Sequence, residues 1–318
     1  MEEDVSQHRL YSPPRMAEVQ VVIVGSLNMD LVARAPRLPV PGETLLGRTF
    51  STVPGGKGAN QAVAAARLGA RTAMIGCVGD DAFGRQLRDG LMADQVDCRG
   101  LRTASGLSSG VALIVVDDSG RNGIVVVPGA NGQLAPEDVD RSASLIAAGQ
   151  IVALQLEVPL ATVEHAARMA KARGKVVVLN PAPAQLLPPG LIASADFLVP
   201  NEVEAAMLTG VPVDSVQSAT DAARRLRALG AANVIVTLGE RGVVAVTAAG
   251  AQHFAARPVQ AVDTTAAGDT FIGGFCAALA AGRTVTEAIA FAQAAAAISV
   301  TRAGAQTSIP FEREVTSG

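Results

Sequence analysis

The sequence predicts an α/β fold, a doubly wound and mostly parallel sheet flanked by helices, with a small projecting β-sheet acting as a lid. Three observations carry this. Short continuous apolar runs of the kind that form strands buried on both faces recur along the chain. Alanine-rich segments with helical periodicity lie between most of them, the alternation expected of a parallel sheet covered by helices. Two stretches, about 31–54 and 96–128, break the alternation with strand-like runs, Gly and Pro turns and no helix between them.

In chain order, residues 1–18 are polar and proline-bearing and are expected to form a flexible extension, within which Met16 is a second candidate start. The folded part, about 19–310, opens with Val21–Val24, a four-residue apolar run ending at Gly25. Further strands are expected over 72–78, 151–156, 176–179, 197–199 and 234–238. Helices are expected over 59–68, 83–93, 159–172, 219–229, 268–281 and 285–300. The lid takes the runs 45–50, 111–116 and 124–127, and residues 311–318 are left as a tail. A sheet of so few strands cannot bury both faces alone, so it is expected to cover a cleft, to pair with a second copy in a homodimer, or both.

Composition excludes several classes of function. The 318 residues are 49% hydrophobic, 17% charged and 3% aromatic, with a net charge of −3, so the chain can bury a large core and is not a disordered tail protein. No Lys/Arg run supplies an electrostatic footprint for nucleic acid or anionic lipid, and one Tyr with no Trp makes a poor base-stacking platform. The uncharged stretch 176–195 contains Pro181, Pro183, Pro188 and Pro189 and therefore reads as strand and loop rather than a membrane span. An acidic start without an apolar segment points to a cytoplasmic protein. Cys77, Cys98 and Cys276 fit no metal or disulfide spacing and read as reduced structural thiols.

Two glycine-containing loops carry the chemistry. In VDTTAAGDTFIGGF (262–275), the small residues Ala266, Ala267 and Gly268 lead into an apolar helix, leaving free N–H groups and a positive helix end for an anion. Asp269 sits beside that cradle, where its charge opposes the anion. It reads either as a general base for a substrate hydroxyl or, as a lone Gly-Asp more often does, as a helix cap. In PGGKGAN (54–60), Gly56 lets backbone approach a small polar ligand while Lys57 and Asn60 offer donors to hydroxyls. It is neither a Walker loop nor a Rossmann fingerprint. Asn28 and Asp30 follow the first strand at its carboxyl end, where open α/β sheets place ligands, although as an isolated pair they also suit a turn.

The stretches GGKGANQAVAAARLGA (55–70) and DTTAAGDTFIGGF (263–275) resemble the two signatures of the ribokinase-like (PfkB) carbohydrate kinase family. GSLNMDLV near the start, NPAPA at 180–184, PNEVEA at 200–205 and VTLGERG at 236–242 extend the resemblance over about residues 20–310. It implies ATP-dependent phosphorylation of the 5-hydroxyl of D-ribose, with Mg²⁺ and an activating monovalent cation, usually K⁺. By resemblance, Asn28, Asp30, Gly56, Lys57, Asn60 and Glu157 contact the sugar, Asp269 is the base, and the backbone of 266–268 is the anion hole. Asn201 and Glu204 organise Mg²⁺ through water and bind ATP together with Thr237, Gly239, Gly242, Gly268 and Gln293. Asp263, Thr265, Ser299, Arg302, Gly304 and Ser308 form the monovalent-cation loop, several through carbonyls, and the lid pairs two subunits. Where many members have Gly-Ala-Gly-Asp this chain has Ala266, which a negative φ would accommodate. Deoxyribose, fructose, a nucleoside, or a non-catalytic sugar sensor on the same fold are the alternatives, and the lack of Tyr and Trp argues against a nucleoside.

Overall fold

The computed structural model describes residues 19–316. Among these, nine strands form the main sheet: β1 (Val21–Val24), β4 (Thr72–Gly79), β5 (Asp97–Ala104), β8 (Ile151–Leu154), β9 (Val176–Leu179), β10 (Phe197–Leu198), β11 (Asn233–Thr237), β12 (Val243–Thr247) and β13 (Gly250–Phe254). Their order is β13-β12-β11-β10-β9-β8-β1-β4-β5, parallel from β5 through β11 and closed at the other edge by an antiparallel β12–β13 hairpin.

Alternate residues of β1 show why its run is apolar throughout. Val21 and Ile23 pack into one core layer, Val22 and Val24 into the other, and all four are fully buried. The first layer is closed by α1 (Lys57–Arg67), α2 (Ala82–Ala93), α9 (Ala267–Ala280) and α10 (Val285–Ser299). The second is closed by α3 (Pro136–Arg141), α4 (Ala143–Ala148), α5 (Leu160–Ala172), α6 (Pro189–Ser194), α7 (Glu202–Thr209) and α8 (Val216–Ala228).

A separate sheet of β2 (Asn28–Arg34), β3 (Thr49–Gly55), β6 (Gly110–Val116) and β7 (Asn122–Val127) runs in the order β3-β2-β6-β7. It takes less of the chain than the sequence suggested but has one strand more, β2, which the sequence did not mark as a strand. Residues 97–104, assigned to the lid, form β5 of the main sheet instead, because the α2–β5 connection is a tight turn that leaves β5 parallel to β4. The strand expected over 45–50 begins only at Thr49 and runs on to Gly55, where it pairs with Asn28. The tail assigned to 311–318 also differs. Glu312–Thr316 form a short helix, α11, held by an Arg302–Glu314 ion pair and by burial of Val315. The expected extension 1–18 lies outside the described residues.

The small sheet joins the main body at one buried residue. Asn131, in the turn after β7, accepts from the Leu27 N–H (2.9 Å) and donates to the Leu27 carbonyl (2.9 Å) and to Asn28 Oδ1 (2.8 Å). Asn28 in turn opens β2 opposite both Gly55 and Gly110, so three chain crossings into the small sheet meet at this amide. Asn131→Ala would leave the Leu27 peptide groups buried and unpaired, and chemical denaturation should show a loss of about 2–4 kcal/mol. A change within experimental error would mean that water replaces the amide there.

Candidate active site

Every parallel strand that reaches the site delivers its residues from the carboxyl end: Asn28 after β1, Glu157 after β8, Asn180 after β9, Asn201 after β10 and Thr237 from β11. The glycine loop then folds back onto the end of β1. Gly56 has φ +87°, and a Cβ there would lie 2.6 Å from the Asn28 nitrogen, so both conformation and space demand glycine. Gly55 makes room for a neighbouring carboxylate, since a Cβ on it would meet Asp30 Oδ2 at 2.4 Å. The Lys57 N–H donates to Glu157 Oε2 (3.0 Å), which also accepts from Ser26 Oγ (2.6 Å).

Asp269, in the first turn of α9, is buried and not exposed as a simple cap. Its Oδ2 accepts from Asn60 Nδ2 and its Oδ1 from Gln61 Nε2, each at 3.0 Å. No side chain caps this helix, and Ala266 at the cap has φ −107°, so its methyl is accommodated. The first intrahelical bond runs from Thr270 N–H to Ala266 O (2.8 Å), and the N–H groups of 267–269 precede it, with Ala267 N–H turned to Thr264 O (3.2 Å).

Two cavities meet here. A polar one of about 190 Å³ is lined by Lys57, Asn180, Asn201, Glu204, Thr265 and Asp269, among others. A mainly apolar cleft of about 830 Å³ has walls from Gly239, Gly242, Val243, Phe271, Gln293 and Ala297, among others. Thr237 and Gly268 line both, so a ligand seated in the larger cleft can extend into the smaller across the N-terminus of α9. Gly242 has φ +91°, and a Cβ on it would come within 2.0 Å of the Phe254 carbonyl, which is why the β11–β12 turn needs glycine.

The electrostatics are those of a carboxylate cluster around one ammonium. Burial pushes the Lys57 amine down, but Asp269, Glu157 and Glu204 outweigh it and the net shift is up, so Lys57 stays charged. Burial raises the Asp269 carboxyl, while Lys57, Gln61 and Asn60 pull against it. Burial likewise raises Glu204, whose carboxylate closes a capping box with Asn201. Asp30 is pushed up to about 7 by burial and by repulsion from Glu157 and Asp269.

The residues expected to hold a monovalent cation are only partly assembled as ligands. Asp263 accepts from Thr265 N–H (3.0 Å), Thr265 Oγ1 (2.5 Å) and Gly304 N–H (2.9 Å), which draws the two loops together and, against burial, lowers its carboxyl. The other side chains point elsewhere: Ser299 Oγ bonds Ala296 O, Ser308 Oγ bonds Ala305 O, and Arg302 pairs with Glu314. From those three positions only backbone carbonyls can face an ion. The sequence pointed to no role for Gln61, Gln155 and Asn131, all of them buried, although Gln61 follows Asn60 directly and Gln155 lies two residues before Glu157.

The fold and this site define a kinase of small polar acceptors, and the chain belongs to the pfkB family of carbohydrate kinases, whose model matches residues 19–312. It is 46% identical to a ribokinase of Haemophilus influenzae over 294 residues, 92% of this chain and 96% of that protein. It is also 42% identical to a deoxyribokinase of Salmonella typhi, again over 92% of this chain and 96% of that one. Among solved structures, the Arabidopsis thaliana ribokinase complexed with ribose and ATP superposes with a TM-score of 0.90 at 34% identity, covering 95% of this chain and 98% of that one.

The raised Asp30 carboxyl has a measurable cost. Its folded-state value of about 7 exceeds the ordinary 3.8, so the native state holds this proton more tightly than the unfolded chain. The resulting penalty is absent below the unfolded value, grows as pH rises, and is complete above the folded one. Asp30→Asn should therefore leave Tm near that of the parent at about pH 4 and raise it at about pH 8. A Tm difference independent of pH would remove this account of Asp30.

Proposed function

We propose that this chain transfers the terminal phosphoryl group of ATP to the 5-hydroxyl of D-ribose, giving D-ribose 5-phosphate and ADP. The observation that carries this is the position of Asp269: a buried, doubly hydrogen-bonded carboxylate at the N-terminus of α9, on the boundary between the polar cavity and the larger apolar cleft. The ribokinase relatives, and the solved one that holds ribose and ATP, support ribose and ATP as the pair.

In this reading Asn28, Asp30, Lys57, Asn60 and Glu157 hold the sugar hydroxyls, and Gly56 brings the backbone close to them. The adenine side of the nucleotide occupies the cleft between Gly239, Gly242 and Gln293, and its phosphates extend past Asn201 and Thr237 toward α9. Asp269 takes the proton of the 5-hydroxyl as that oxygen bonds to the γ-phosphorus. The bond to the bridging oxygen breaks and its electron pair leaves with ADP. In the anion hole at 266–268 the N–H groups of Ala266 and Gly268 neutralise charge that develops on the transferring group, the Ala267 N–H being turned to Thr264 O. Burial raises the Asp269 carboxyl, which suits a group that must accept a proton, and the Lys57 ammonium pulls against that rise.

The excess of carboxylate over ammonium suits a divalent cation, yet the described residues contain no cluster of three metal-ligating side chains. Mg²⁺ would therefore be held by phosphate oxygens and water with Glu204 and Asn201, supplying charge neutralisation on the phosphates. A K⁺ ion would sit on carbonyls of the 263–265 and 299–308 loops, and its contribution would be to order the loop that aims the N–H groups of 266–268.

A second acceptor, 2-deoxyribose, is favoured by one specific finding, the 42% identity to a deoxyribokinase. Phosphate transfer from ATP measured over ribose, deoxyribose, fructose and adenosine separates the readings, with the highest kcat/KM expected for ribose. Asp269→Asn keeps shape and sugar binding but cannot accept the proton, so kcat should fall about 10²–10⁴-fold while both substrates still bind. Near-parental turnover would refute the base.

The small sheet supports a homodimer. Leu46 and Phe50 are 84% and 67% exposed, and Leu113, Ile124, Val125, Val126 and Val127 are also exposed. In the β6–β7 register Leu113 and Val125 share one face and Ile124 and Val126 the other, so both faces are apolar. Light scattering at micromolar concentration should give a dimer, which Val125→Glu/Val126→Glu, placing a charge on each face, should dissociate. A monomeric parent would end this reading.

A further inference from the structure

Behind Asp269 lies a line of buried amides that none of the proposed substrate contacts uses. Gln155, just after β8, donates from Nε2 to Gln61 Oε1 at 2.6 Å. Gln61, on α1, donates from Nε2 both to Asp269 Oδ1 (3.0 Å) and to Asn180 Oδ1 (3.2 Å). Asn180, just after β9, donates from Nδ2 to the Val199 carbonyl at 2.9 Å. Gln61 and Gln155 are completely shielded from solvent, and neither lines the polar cavity.

The direction of this line is fixed at both ends. The Val199 carbonyl can only accept, so Asn180 must present its NH₂ to it and its oxygen to Gln61. A carboxylate can also only accept, so Gln61 must turn its NH₂ toward Asp269 and Asn180 together. That leaves the Gln61 oxygen needing a donor, which Gln155 supplies. Space for Gln155 comes from Gly25 at the end of β1, where a Cβ would sit 1.9 Å from Gln155 Oε1.

We infer that Gln61 is a positioning residue for the reaction proposed above, its amide locked by Gln155 and Asn180 so that it orients the Asp269 carboxylate toward the acceptor. The inference rests on Asp269 being the base. Gln61 and Asn60 each hold one carboxylate oxygen, which fixes the carboxylate plane and leaves the remaining lone pairs for the sugar's proton. The two central strands that carry Gln155 and Asn180 thereby set the geometry of a group on α9. Without Gln61 the carboxylate is free to rotate and loses a donor that favours its ionised form. The other charged groups around Asp269 remain in place: Lys57 on α1, Asp30 on β2, Glu157 after β8 and Glu204 on α7.

The test uses the full chain and two variants, Gln61→Met, which keeps length without hydrogen bonds, and Gln61→Glu, which keeps shape and still accepts from Gln155. Selective ¹³C labelling of aspartate carboxyls, with Asp269→Asn to identify the signal, reads the Asp269 titration directly. In Gln61→Met that titration should move up by about one pH unit or more. The acid limb of kcat should move with it, and kcat near neutrality should fall about tenfold or more, while KM for ribose and ATP stays within about threefold. In Gln61→Glu the two carboxyls share one proton, and the limb should move further in the same direction. Should Gln61→Met not fold, the Gln61→Glu titration decides. An unmoved Asp269 titration, or KM rising in step with a fall in kcat and Tm, would overturn the assignment and leave Gln61 a packing residue. Since the titration needs no turnover, a parent chain that fails to phosphorylate any sugar would refute the kinase reading, while the Asp269 titration still decides whether Gln61 holds that carboxylate.

Discussion

The ammonium of Lys57 is the interaction on which this site depends. Asp269, Glu157 and Glu204 all act on it, and Asp30 stands within range of two of those same carboxylates. Four acids converging on the end of a sheet would repel one another and expel part of the loop into water. One half-buried cation, on the first residue of α1 and tied through its own N–H to Glu157, holds the group together. The arrangement is still short of positive charge. That deficit is what a phosphoryl-transfer site uses, because the proposed substrates bring a metal with their phosphates.

Close helix packing is what brings the amides onto the base. Helices α1 and α9 touch through small residues, and a Cβ on Gly273 would come within 2.4 Å of Ala64 and 2.8 Å of the Gln61 carbonyl. At that separation Asn60 and Gln61 on one helix reach Asp269 on the other without intervening side chains. The alanine content that makes the sequence look monotonous thus sets an interhelical distance. A larger residue at 273 would move the donors away from the carboxylate even though it touches neither.

The strand and helix alternation was legible because strands buried on both faces are continuous apolar runs, and β1, β4, β8, β9 and β11 all are. What the sequence hid was local. Residues 97–104 (DCRGLRTA) contain two arginines and an aspartate, since β5 is an edge strand with one side open to water, and charge there disguised a main-sheet strand as part of the lid. The β12–β13 hairpin was missed for a similar reason: β13 (GAQHF) is polar and mostly exposed. At the site, two signature loops identified Lys57, Asn60 and Asp269 because glycine and charge are visible in a string of letters. The amides of Gln61, Gln155 and Asn131 were not visible, because a buried glutamine or asparagine is distinguished from an exposed one only by partners distant in sequence, such as the 94 positions between Gln61 and Gln155.

The small sheet and the C-terminal loops, far apart in sequence, meet beside the same site. Asp30 and Arg34 lie two turns of the pleat apart on the same face of β2, one reaching Glu157 and Asp269, the other contributing to the field that keeps Asp263 ionised. Asp263 in turn ties the loop before α9 to Gly304. Any displacement of β2 is therefore felt both where the sugar would bind and in the loop that presents the N–H groups of 266–268. Asn131 clamps Asn28, the first residue of β2, to the end of β1, so this end of the strand is fixed to the main sheet. In the proposed reaction one strand thus carries both a residue of the acceptor site and a charge that acts on the loop before the anion cradle, so the two halves of the site share one support.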